Sequence, residues 1–174
     1  GGGKRKPYNF TLRNMEHVDG FDGYLFQSEA DRKVPVQPLW FGSSLPFPYK
    51  GKVKVLYNLR KLAEMPYHLC MAERFEDLEK EVLYNYTWLH TKLSATSLHD
   101  ILSDFVTAGE AGMDSNPEFQ LVLNTLRVGG SYVNQNPDTL AFDLVGRLLP
   151  FYDEFPNIRS LLQQCDAESR EHSA

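Results

Sequence analysis

The chain has 174 residues, enough for one domain, or for one domain with an arm. Hydrophobic residues make up 42% and aromatics 13%, which excludes wholesale disorder, and a formal net charge of −5 argues against a nucleic-acid or anionic-membrane surface. No apolar run approaches the roughly 18 residues needed to span a bilayer, and two cysteines, Cys70 and Cys165, make no disulfide framework.

The chain opens Gly1-Gly2-Gly3-Lys4-Arg5-Lys6, with Gly1 where an initiator Met would stand, so it is expected to be a piece of something longer. Gly3-Lys4 invites comparison with a phosphate-binding loop, but Arg5 stands where that loop needs Ser or Thr, and no strand precedes it in the chain. The short basic run reads as solvated, as do Lys50, Lys52 and Lys54. Residues 1–52 carry neither helical nor strand periodicity, and Pro7, Pro35, Pro38, Pro46 and Pro48 interrupt any that might start. Yet Phe10, Phe21, Tyr24, Phe26, Trp40, Phe41 and Phe47 are more large apolar residues than a solvated linker carries. The expectation is a long irregular arm, ordered against the helical part or against a neighbouring domain, with short extended pieces at 24–26 and 34–41; the alternative is a mobile tail.

From residue 53 to 166 the spacing is helical throughout. Leu59, Leu62, Pro66 and Leu69 mark a first helix, which Pro66 should bend or end early. Phe75, Leu78, Val82, Tyr86, Leu89 and Leu93 form one stripe across about five turns. Ser97 followed by Asp100 opens a third helix in capping-box fashion, with Leu98, Ile101, Leu102 and Phe105 as its buried face. Asn116-Pro117, Asn136-Pro137 and Phe155-Pro156 open three more, because proline is tolerated in a first turn. Their apolar faces are Phe119, Val122, Leu123, Leu126 and Val133; then Leu140, Leu144, Val145 and Leu148; then Ile158, Leu161, Leu162 and Cys165. Residues 167–174 are polar and are expected to fray. The fold class is therefore all-α: about six helices as antiparallel helical hairpins, solenoid- or bundle-like, behind the irregular arm.

Chemistry is tested residue by residue. His68 and Cys70 sit two apart on a helix and point in opposing directions, so they cannot share a metal ion; Cys70 reads as a small core residue and His68 as a structural histidine. Ser97, His99 and Asp100 are the residue types of a nucleophilic triad crowded into a helix start, where capping explains them better. Asp100 and Asp104, one turn apart, read as a solvated face. An enzyme would need several of Glu64, His68, His90, His99 and Asp104 to converge. The sequons Asn9-Phe10-Thr11 and Asn85-Tyr86-Thr87 read as chance triplets, the second inside a helical run. No catalytic, cofactor-binding or metal residue is assigned. Trp88 reads as a core anchor, while Trp40 and Phe41 in the arm read as packing or interface anchors.

Five segments carry a resemblance: Gly2 to Pro7; Gln37-Pro38-Leu39-Trp40-Phe41; Asn58-Leu59-Arg60-Lys61-Leu62 with Glu64 and Pro66-Tyr67-His68-Leu69; Asn85-Tyr86-Thr87-Trp88-Leu89; and Leu126-Arg127, Asn136-Pro137, Leu140, Leu144 and Arg147-Leu148. In order and spacing they resemble the NACHT and WD repeat domain-containing proteins, large signal-transduction ATPases. The resemblance is weakest from Phe10 to Ala30. It implies that residues 1–52 are an arm following a winged helix and that 53–166 are the helical connector ahead of the WD repeats. It also implies a cytoplasmic scaffold whose partners are the flanking domains of its own chain, with ATP bound by the parent protein and no cofactor in this segment. The rival expectation is a free-standing peptide-binding helical-repeat adaptor, with a groove lined by aromatic or Asn side chains.

Overall fold

The computed structural model describes residues 37–41 and 56–173. The glycine–lysine opening, the rest of the arm and the boundary placed at 52/53 lie outside the described residues. The chain divides into two units, 1–37 and 38–174, and the second is described here. Its described residues are all-α apart from one two-residue antiparallel ladder, in which β1 (Trp40–Phe41) pairs with β2 (Leu56–Tyr57), Trp40 opposite Tyr57. Seven helices follow: α1 (Leu59–Met71), α2 (Phe75–Leu78), α3 (Tyr86–Ala95), α4 (Leu98–Ala108), α5 (Pro117–Gln135), α6 (Leu140–Leu148) and α7 (Pro156–Ser173).

The starts of these helices follow from single polar residues. Asn58 accepts from the Lys61 amide at 3.1 Å, Asn85 from that of Trp88 at 2.9 Å, Ser97 from that of Asp100 at 3.3 Å, and Asn116 from that of Glu118 at 2.9 Å. Each satisfies an amide that the helix leaves without a partner. Asn58 also ties α1 to the ladder, through its amide to the Leu39 carbonyl at 2.8 Å and its side chain to the Pro38 carbonyl at 3.1 Å.

The stripe from Phe75 to Leu93 is not one helix. After α2 the chain widens into a π turn, Glu79–Leu83, with the Tyr84 amide reaching back five residues to the Glu79 carbonyl at 2.9 Å. Asn85 then leaves helical geometry (φ −109°, ψ 108°) to cap α3. An apolar period can run unbroken across such a stop, because it records which face is buried and not which amides are paired. Of the two effects expected of Pro66, an early end does not occur: α1 runs on to Met71 with Pro66 buried. The polar end is helical as far as Ser173.

Neighbours in sequence pack in turn: α4 on α3, α5 on α4, α6 on α5 and α7 on α6. Contacts of α1 with α4, and of α3 and α5 with α7, join non-consecutive helices, so the unit closes as a bundle. Trp88, Phe105 and Phe119 are among the largest buried side chains, and the last two stack with ring centroids 5.3 Å apart between α4 and α5. Gly129 lets α5 and α6 approach closely, for a Cβ there would meet the Asp143 carboxylate at 2.9 Å and the Val133 methyl at 2.9 Å. Gly130 beside it takes φ +52°, a kink within α5 that a glycine adopts without penalty. No described helix is long and apolar enough to cross a membrane.

Candidate functional site

A helix can be interrupted inside a core only if the polar groups it frees find partners. Four interruptions here are closed by side chains from other helices. Pro66 has no N–H, so the carbonyl of Leu62, four residues earlier, loses its usual donor. The Lys92 ammonium of α3 reaches across to that carbonyl at 2.7 Å and also pairs with Asp104 of α4 at 2.5 Å. Lys92 is buried, 3% exposed, so the pair is a clasp joining α1, α3 and α4. Burial pushes the Asp104 carboxyl up to about 6, against the opposing pull of Lys92 and with a further push from Asp100. Asp104 is therefore no part of a solvated face, which corrects the sequence reading.

The break between Tyr84 and Tyr86 is closed by Gln164 of α7. Its side chain accepts from the Tyr86 amide at 2.8 Å and donates to the Tyr84 carbonyl at 3.0 Å. Asn134 of α5 accepts from the first amide of α4, Leu98, at 2.8 Å. Glu118 of α5, itself buried, caps α7: it accepts from the Ile158 amide at 2.8 Å and from the Asn157 side chain at 2.9 Å. A carboxylate at a helix N-terminus gains from the amides and from the helix dipole. Beside it, burial and the charge of Glu118 raise the Glu79 carboxyl. The Tyr84 hydroxyl is buried with no hydrogen-bond partner among the described residues, and burial followed by Glu118 and Glu79 holds the phenol un-ionised.

One surface feature among the described residues is a trough between α6 and α7, with a volume of about 470 Å³. Ala141, Val145 and Leu162 line it, and Phe142 and Leu149 rise beside them, 85% and 58% exposed. A second hollow shares Asp138, Ala141 and Ser169 with the first and extends it to Tyr86, His90 and Glu168. There His90 meets Asp138 at 3.1 Å and stacks on Tyr86 at 5.7 Å. Among the described residues no Lys or Arg lines either hollow, while Asp138, Asp166 and Glu168 do.

The other residues weighed for chemistry lie apart. His68 is exposed on α1, 3.9 Å from Glu64. His99 borders a separate shallow hollow at the start of α4. No group of three potential metal ligands occurs among the described residues. Cys70 and Cys165 are buried free thiols, the second pushed up to about 12 by burial. Trp88 is buried in the core and Trp40 is 45% exposed on the ladder, while Phe41 pairs through its backbone with Leu56. Lys92, Glu118, Asn134 and Gln164 escaped sequence reading, because a capping partner from a distant helix has no fixed spacing.

No family profile matches the chain, and neither does any solved structure. Among curated proteins, the chain is 30% identical over 176 aligned residues to NACHT and WD repeat domain-containing protein 2 of Homo sapiens, which covers 96% of this chain and 10% of that protein. It is 35% identical over 141 residues to NACHT domain- and WD repeat-containing protein 1 of Mus musculus, covering 79% of this chain and 8% of that protein. The chain thus spans about a tenth of the length of the curated relatives it matches.

Proposed function

By sequence the chain is a homologue of one segment of the NACHT and WD repeat domain-containing proteins, and from that kinship we propose that it is a non-catalytic helical connector of a larger cytoplasmic signalling ATPase. In this reading the segment carries conformational change from the nucleotide-binding module to the WD repeats and offers surface for assembly. ATP belongs to the parent protein, and the partners are the flanking domains of the same chain.

The observation that supports the reading is the set of cross-helix polar contacts: Lys92 to Leu62, Gln164 to Tyr86, Asn134 to Leu98 and Glu118 to Ile158. A connector transmits displacement only if its own parts do not yield first. Helix ends fixed by side chains of other helices make independent opening of one helix expensive. His68, His90 and His99, by contrast, are spread over α1, the α6–α7 trough and the start of α4.

The test replaces residues 56–173 of the complete protein with a Gly/Ser linker of equal length. Nucleotide turnover should persist, while nucleotide-dependent change in hydrogen exchange of the WD repeats should vanish. An unchanged response of the repeats would overturn the connector role. A second arm mixes the isolated chain with the flanking domains: no association in a sizing experiment would remove its interface role.

A further inference from the structure

We propose that the α6–α7 trough is a docking site for a short cationic amphipathic helix. The inference rests on the reading of the chain as an assembly module and adds the chemistry of what it takes up.

Phe142 is the most exposed of the large hydrophobic residues described, at 85%, and Leu149 follows on the same trough at 58%. Burial of two such side chains is a favourable term that the isolated chain forgoes. The walls are helices, so no open strand edge is available for an extended peptide; the fitting mode is helix in groove. The nine residues of α6 run for roughly 14 Å at about 1.5 Å per residue, enough for two to three turns of a guest helix.

Charge fixes the guest's polar face. Among the described residues, Asp138 and Asp166 border the trough, and no Lys or Arg lines it or its extension. Asp138 pairs with His90 at 3.1 Å, and Asp166 pairs with Arg170 at 2.9 Å. The Asp138 side chain is itself exposed, and the Asp166–Arg170 pair is at the surface, where an ion pair contributes little. A helix with leucine or phenylalanine along one stripe and lysine or arginine beside it therefore meets apolar floor and carboxylate rim together. An acidic helix of the same apolar pattern meets like charge.

The experiment is fluorescence anisotropy on the 174-residue chain. The probe is a labelled peptide of about 14 residues, with leucine at helical spacing and lysine elsewhere, set against a companion with glutamate in place of lysine. The lysine probe should bind at least tenfold more tightly than the glutamate probe. Phe142→Glu should weaken it at least tenfold without lowering the melting temperature, and Asp138→Lys with Asp166→Lys should invert the preference. Equal binding of the two probes, or indifference to Phe142→Glu, overturns the proposal. So does self-association in sedimentation that Phe142→Glu abolishes, since the occupant would then be a second copy. If Phe142→Glu chain still associates with the flanking domains while the wild type ignores the lysine probe, the trough assignment fails and the connector reading stands.

Discussion

Replacing Lys92 with methionine removes the charge of the clasp and keeps most of its volume. Two groups lose a partner: the Leu62 carbonyl, held at 2.7 Å, and the Asp104 carboxylate. An orphaned buried carbonyl costs about 1–3 kcal/mol. Breaking one side of a buried ion pair costs about 3–5 kcal/mol. Asp104 already sits at about 6, so it relieves part of that penalty by taking a proton. The expected loss is therefore about 3 kcal/mol at neutral pH. Pro66→Ala offers a specific rescue. Alanine restores the N–H facing the Leu62 carbonyl, so the substitution should be about 1–2 kcal/mol more favourable in the Lys92→Met background than in the wild type. Loss of proline packing occurs in both backgrounds and cancels. The assay is urea unfolding followed by far-UV circular dichroism for the four proteins of the cycle. If the two substitutions add to within about 0.5 kcal/mol, Lys92 is not serving the carbonyl that Pro66 frees.

Three further outcomes are expected. The Asp104 carboxyl is raised in the folded state, so between about pH 4 and about pH 6 the folded chain holds a proton that the unfolded chain has released; stability from this group is lost as pH rises through that window, and the wild-type minus Asp104→Asn difference should slope downward there by at most about 3 kcal/mol. Glu118→Ala should cost about 2 kcal/mol in chemical denaturation while Glu118→Gln costs less, because the amide oxygen still accepts from the Ile158 amide; equal losses would count against the capping role. Tyr84→Phe should stabilise the chain by about 1 kcal/mol by removing a buried hydroxyl without a partner, and a loss of that size would mean that the hydroxyl is satisfied.

The apolar period located most helices, since burial of one face is what it records. Ser97 and the three proline starts were legible from local spacing, as the chain turns at 97, 116–117, 136–137 and 155–156. The break at Asn85 was concealed by the continuing apolar stripe. The partner of the Leu62 carbonyl that Pro66 frees could not be read, because Lys92 stands 26 residues beyond Pro66. Asp104 looked solvated for the same reason: its partner is 12 residues away on another helix. Of the trough, Val145 and Leu162 were read as core face, but the exposure of Phe142 emerges only once α6 and α7 pack.

Native-state hydrogen exchange in rising urea, read at the amides of Tyr86, Leu98 and Ile158, tests most directly whether these helices form one stiff body. A body pinned by Gln164, Asn134 and Glu118 releases all three amides only with global unfolding, at one free energy and one denaturant slope. Exchange of Ile158 at a much lower free energy, insensitive to urea, would show α7 opening alone and contradict it.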